Sequence, residues 1–242
     1  MVGKIIAIAF STATGLLMGC TSVKNVQLVG SQPSNLFWQP EAQSRWEQVK
    51  LPGKHNTHYS LVTLNGQNTL KANAQSSASM LRQKIRIEPD ALNSVFFSWQ
   101  VAELMASADM AERDHDDSPV RIVLAFEGDR KKFSMKNAIL SELSHAMNGE
   151  PMPYATLMYV WCNHRPVNAV IENPRTDRIR KIVVESGSER LNQWLMYERN
   201  IRLDYENAFG EPPGALIGVG LMTDSDNTQS QVQAWYGAIQ LK

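Results

Sequence analysis

The chain is poor in cysteine, with two in 242 residues. That excludes a disulfide framework, and a chain of this size buries roughly 70% of its unfolded surface and needs no staples. It lacks an excess of either charge: 24 Lys and Arg stand against 24 Asp and Glu. The basic footprint of a nucleic-acid binder is therefore missing, which argues against nucleic acid as a partner. GxSxG, HExxH, the P-loop and GxGxxG are also missing. The five histidines are scattered, and Cys162 with His164 is not a nucleophile–base pairing. Paired carboxylates for glycoside hydrolysis stay open, because their spacing is spatial.

The N-terminus does not read as part of a fold. Lys4 is a thin positive region, and Ile5 to Leu17 is an apolar run too short to span a bilayer as a stable helix. It leads into Leu17-Met18-Gly19-Cys20, which resembles the bacterial lipoprotein lipobox. The resemblance implies that residues 1–19 are a signal peptide and that Cys20 carries lipid, palmitate included, on its sulfur and amine. Each buried CH₂ of such chains contributes about 0.8 kcal/mol to membrane anchoring. Thr21, where an Asp would retain the protein at the inner membrane, implies the outer membrane, facing the periplasm. The alternative is an ordinary secretory signal with Cys20 as a free thiol. Residues 20–36, with Gly30, Ser31 and Pro33, read as a tether, and residues 37–242 as a single domain.

Within that domain the dominant period is two. In "SMLRQKIRI", Leu81, Gln83, Ile85 and Ile87 face one way and Arg82, Lys84 and Arg86 the other, the pattern of a half-buried strand. "HYSLVTL" and "NTLKANA" flank Asn65-Gly66, a hairpin signal. Further strands are expected over Ser94 to Glu103, Val120 to Phe126, Ala155 to Trp161, Arg178 to Glu185 and Trp194 to Leu203, then in "ALIGVGLM" and "QVQAWYGAIQL". One amphipathic helix is predicted over Ser134 to Met147, where Ile139, Leu143 and Met147 recur every four residues, and Asn148-Gly149 ends it. "DYENAF" reads as a single helical turn. Many strands without βαβ alternation give an all-β fold, a mainly antiparallel β-sandwich, jelly-roll-like, with one short amphipathic helix.

Three segments carry candidate chemistry. "DHDD", Asp114 to Asp117, precedes a buried strand containing Arg121, and its acids need a positive partner: Ca²⁺, Arg121 or solvent ions. "TDSDNT" offers Asp224, Asp226 and Asn227 as alternating oxygen donors, either for Ca²⁺ or for an Asx turn opening the last hairpin. "YERNIRLDYENAFG" places Arg199 near Asp204, a pairing that ties strand ends together or grips a polar ligand. On a strand, Glu198, Asn200, Arg202 and Asp204 would share one face. Trp99 and Trp161 are candidates for stacking on sugar rings, although a strand Trp also serves as core.

Taken in order, "FFSWQV", "DDSPVRIVLAF", "YVW", "ERNIRLDYENAFG" and "TDSDNT" resemble the bacterial envelope family termed domain of unknown function 3047. The resemblance runs from about Phe37 to Leu241 and brings no activity with it. More loosely, the chain is similar to galactose-binding-like jelly rolls, which implies acidic loops around a structural calcium and glycan binding on a sheet face or loop rim. Together these point to a non-catalytic binder of a carbohydrate or other polar envelope ligand. Its site would gather Asp116, Asp117, Arg121, Arg199, Asp204, Asp224 and Asp226 at one end of the sandwich. The alternatives are a polysaccharide hydrolase or lyase using two of these carboxylates, and a scaffold binding another envelope protein.

Overall fold

The computed structural model describes residues 36–40 and 46–242. The signal peptide, Cys20 and nearly all of the tether lie outside them. Pro33–Lys242 forms one compact unit with its own core. Its elements in chain order are β1 (Leu36–Trp38), β2 (Glu47–Lys50), β3 (His58–Leu64), β4 (Gln67–Gln75), β5 (Ala78–Ile87), β6 (Ser94–Val101), β7 (Ser118–Phe126), α1 (Met135–Asn148), β8 (Ala155–Cys162), β9 (Val170–Asn173), β10 (Thr176–Ser186), β11 (Leu195–Asn200), α2 (Ile201–Phe209), β12 (Leu216–Asp224) and β13 (Gln231–Leu241).

Two sheets make a sandwich. One runs β11-β6-β13-β4-β3, with β1 also pairing with β13. The other, seven-stranded, runs β2-β5-β12-β7-β8-β10-β9. All pairings are antiparallel except β8 with β10. The β3–β4 hairpin turns on Asn65 and Gly66, both at positive φ (52° and 79°). A type I′ turn demands that conformation.

Alternation decides what each sheet shows to each side. On β7, Ile122, Leu124 and Phe126 enter the core, while Arg121, Val123 and Ala125 face away from it. On β8, Leu157, Tyr159 and Trp161 point inward, and Thr156 and Met158 outward. The inner faces pack an aromatic centre: Phe97 lies 5.0 Å from Trp99 and 5.5 Å from Tyr159, ring centre to ring centre. Trp99 and Trp161 are both wholly buried there. The expectation that they stack on a ligand is therefore corrected. A large apolar ring on an inward strand position gains more from core burial than from exposure.

The helices bring two further corrections. The strand expected through Leu203 stops at Asn200, whose side chain accepts from Leu203 N–H and caps α2. Helix α2 then spans nine residues, more than the single turn expected, and Gly210 (φ 70°) closes it. Glu198, Asn200, Arg202 and Asp204 consequently do not share a strand face. A cap outweighed local alternation here, because it satisfies an otherwise orphaned helix donor. Ile201 and Tyr205 anchor α2, with Tyr205 edge-on to Phe126 at 4.7 Å. Helix α1 runs between the cap at Ser134 and the left-handed Gly149, as expected. Its burial is the reverse of an ordinary amphipathic helix: Asn137 and Ser141 are buried, and the apolar stripe is exposed.

Candidate functional site

"DHDD" and "TDSDNT" meet at one end of the outward face of the seven-stranded sheet. Asp224 is the last residue of β12, and its register partner on β7 is Ser118. That pairing sets its carboxylate beside Arg121. The guanidinium grips it with two bonds, Nε to Oδ1 and Nη2 to Oδ2, both 2.8 Å. Ser118 N–H donates to Oδ1 as well, at 3.1 Å. Arg121 Nη2 also reaches Asp116, at its carbonyl (2.9 Å) and its Oδ1 (3.1 Å). Lys181, wholly buried on β10, donates to Asp116 Oδ1 at 2.6 Å and to the Met110 carbonyl at 2.8 Å. Asn173 completes Asp116 through its Oδ2.

Asp117 binds the turn that leaves Asp224. Its Oδ2 accepts from the N–H and hydroxyl of Thr228, both at 2.7 Å. Its Oδ1 accepts from the backbone and side-chain nitrogens of Asn227, at 3.2 Å each. The acidic loop before β7 thus holds the connection between β12 and β13. Asp226 pairs with Lys54.

Burial and charge compete in setting the protonation of this cluster, and at Asp224 burial outweighs Arg121 and pushes the carboxyl up to about 7. Burial works against the Arg121 guanidinium, but Asp224 and Asp116 together hold its pKa well above the usual value. Burial would raise Asp116, and Arg121 with Lys181 overcomes that, keeping its carboxyl below the usual range. Burial, with Arg121 adding to it, pulls Lys181 down to about 8 against the pull of Asp116.

Asp117, Asp224 and Asp226 each offer an oxygen within 4.8 Å of the others, close enough to hold a metal ion. A calcium ion wants six to eight oxygens free to coordinate. These carboxylates already accept from Arg121, Ser118, Asn227 and Thr228, and Asp226 has Lys54. Asn227, expected as an oxygen donor, is anchored through its amide nitrogen, which donates to the Asp116 carbonyl and to Asp117. The three carboxylates could hold a metal ion, and as bonded Arg121 and Lys54 hold the cationic positions beside them.

Arg199 and Asp204 form a separate unit, which corrects the expectation of a single cluster. Arg199 clamps Asp204 with two bonds (2.8 and 2.6 Å), and Tyr159 OH donates to the same carboxylate at 2.9 Å. Tyr159 points to the core side of β8, whereas Arg121 touches Met158 on the outward side. The two ion-pair groups thus lie on opposite faces of one sheet.

The outward cluster forms one end of a groove of about 600 Å³ crossing β5, β12, β7 and β8. Met80, Met158, Met222, Val123 and Ala125 line its floor. Gly220 leaves room for Met80 to pack: a Cβ there would sit 2.8 Å from Met80 Sδ. At the far end Arg82 bonds Glu150 at 2.7 Å and Glu47 at 2.9 Å, beside Pro151 to Pro153. Lys181, Asn173, Lys54 and the methionines escaped sequence reasoning. The available signal was Lys181 itself, a cation set against the buried run Ile182 to Val184.

The family model described as a protein of unknown function, DUF3047, matches residues 44–240, and the chain belongs to that family. No curated protein matches the sequence. Among solved structures, the chain is similar to a family 11 carbohydrate-binding module from Clostridium thermocellum (10% identity, TM-score 0.42, 87% of this chain and 96% of that one). It is similar to endoglucanase 3 of Trichoderma harzianum, family GH12 (8%, TM-score 0.43, 88% and 99%). It is also similar to the glycoside hydrolase domain of Endo-D from Streptococcus pneumoniae R6 (11%, TM-score 0.37, 82% of this chain), spanning 22% of that chain's length.

Proposed function

We propose that this protein is a non-catalytic binder whose site is the groove on the outward face of the seven-stranded sheet, and that its ligand is a carbohydrate or a similarly polar envelope molecule. The observation that carries the reading is the end wall. Four charged side chains from three separate segments, Asp116, Arg121, Lys181 and Asp224, are buried and cross-bonded where the groove begins. Asn227 and Asn173 are bonded to Asp116 in this wall and stand at the rim, placed to hydrogen-bond hydroxyls. The floor of methionines and small residues suits the apolar face of a ring, in place of the tryptophans first expected.

The polysaccharide-cleaving alternative needs a carboxylate with uncommitted oxygens facing the groove. Glu47 and Glu150 are held by Arg82, and the carboxylates at the other end by Arg121, Lys181 and Lys54, which favours binding over cleavage. For the same reason we assign the cation's place to Arg121 and Lys54 ahead of Ca²⁺. The lipobox supports a lipid anchor at Cys20 and an outer-membrane, periplasm-facing location. Retention of radiolabelled palmitate by the wild type and its loss in Cys20→Ala would test the anchor.

The binding reading is tested by thermal unfolding of Pro33–Lys242 with pooled neutral and acidic oligosaccharides. A ligand at a hundred times its Kd adds about 2.7 kcal/mol. The expected result is a raised melting temperature in the wild type that is lost in Arg82→Ala. Equal shifts in both proteins would reject the groove.

A further inference from the structure

Helix α1 is held to the domain by its polar side. Asn137 donates to Asp177 Oδ1 at 2.5 Å and accepts from Thr176 Oγ1 at 2.7 Å, and Ser144 Oγ donates to the Glu150 carbonyl at 3.0 Å. The opposite side shows Met135, Ile139, Leu143 and Met147 to solvent, 81%, 61%, 52% and 54% exposed. Spaced by four, they form one continuous apolar stripe. Four cations stand at the start of this helix: Arg130, Lys131, Lys132 and Lys136, all exposed. Its first turn contains no acid. A helix N-terminus carries partial positive charge and favours acids, so Lys136, in the first turn, works against the helix. Arg130 donates to the Met152 carbonyl, and Lys132 stands 4.0 Å from Glu211. These contacts leave the charges at the surface.

We infer that α1 is a membrane-surface helix, which lays its apolar stripe on an anionic phospholipid bilayer while the cations beside it meet the headgroups. An interfacial helix needs this combination: an apolar face presented outward, basic residues alongside, and too little apolar length to cross. No helix among the described residues is long and apolar enough to span a membrane. Lipid suits the stripe better than a protein groove does, because four flexible or branched aliphatic side chains without a polar group among them match fluid acyl chains, and the cations supply the attraction that aliphatic contact alone lacks. The inference is independent of the groove and of the lipid anchor.

The experiment is co-sedimentation of Pro33–Lys242, free of the N-terminal apolar run, with vesicles of phosphatidylcholine alone or mixed with phosphatidylglycerol. The expected result is binding to the anionic vesicles that weakens as salt shortens the Debye length from about 30 Å at 0.01 M to about 8 Å at 0.15 M. Ile139→Glu with Leu143→Glu, both at exposed positions, should leave the melting temperature in place and lower binding by roughly tenfold or more. Lys131→Glu with Lys136→Glu should remove the preference for anionic lipid. Equal binding of wild type and the Ile139/Leu143 variant overturns the inference, as does no binding to either vesicle. A wild type that forms dimers dispersed by that variant would assign the stripe to a second copy, and retention only by a protein partner would assign it to that partner. Either result also overturns it.

Discussion

Arg121–Asp224 and Arg199–Asp204 have the same chemistry and opposite settings. Both are two-bond arginine–aspartate clamps. The first is nearly sealed, its side chains 4% and 5% exposed, and it shares its charges with Asp116 and Lys181. The second is 21% and 13% exposed and ties the start of α2 to Tyr159. The paired residue types therefore matter less than the face they occupy. One clamp sits under the groove and organises its wall, while the other fastens a helix.

Removing one partner separates the two most sharply. Asp224→Ala leaves a buried guanidinium with Asp116 alone, and urea denaturation should show a loss of about 3–5 kcal/mol. Asp204→Ala leaves a partly solvated Arg199 and costs about 1–2 kcal/mol. Equal losses would break the distinction. Replacing both buried partners, as Arg121→Met with Asp224→Leu, should cost less than Asp224→Ala alone, because no charge is then stranded.

The next effect is one of pH. Lys181 titrates at about 8 in the native state and 10.5 in the reference state. Between those values the unfolded chain holds the proton that the native protein has released, so stability rises with pH across that window. The wild type should gain up to about 3 kcal/mol over Lys181→Met between pH 8 and 10.5, read from denaturation midpoints. Asp116 acts at the other end: its carboxyl is held low, so its contribution is present above pH 4 or so and is lost as pH falls through its native value.

The smallest effect concerns calcium. With Arg121 and Lys54 already on the carboxylates, excess Ca²⁺ followed by chelator should move the melting temperature by less than the 2 °C or so that a 1 kcal/mol effect gives in a domain of this size. A shift of several degrees would show that Asp117, Asp224 and Asp226 prefer the ion.

The sandwich was legible because strand burial writes itself in period two. Leu81 to Ile87 alternate as expected, and Asn65-Gly66 marks its hairpin. The meeting of "DHDD" with "TDSDNT" follows from fold analogy together with the density of acids in two distant segments. Side-chain direction across strands escaped. Arg199 and Asp204 group with Arg121 in sequence because spacing does not tell the two faces of β8 apart. Trp99 and Trp161 pass as ligand candidates in sequence because a strand tryptophan reads the same inward or outward. The periodicity of α1 marks its apolar stripe but not which side meets the domain, since Asn137 gives no sign in sequence of the hydrogen bonds to Asp177 and Thr176 that turn it inward.

The most direct measurement is a glycan array probed with Pro33–Lys242 and with Ala125→Phe, a change that sets a ring into the groove floor. The account predicts a limited set of bound glycans for the wild type and their loss in Ala125→Phe, with the melting temperature within a few degrees of wild type. An array without binding, or one equally bright for both proteins, would contradict it.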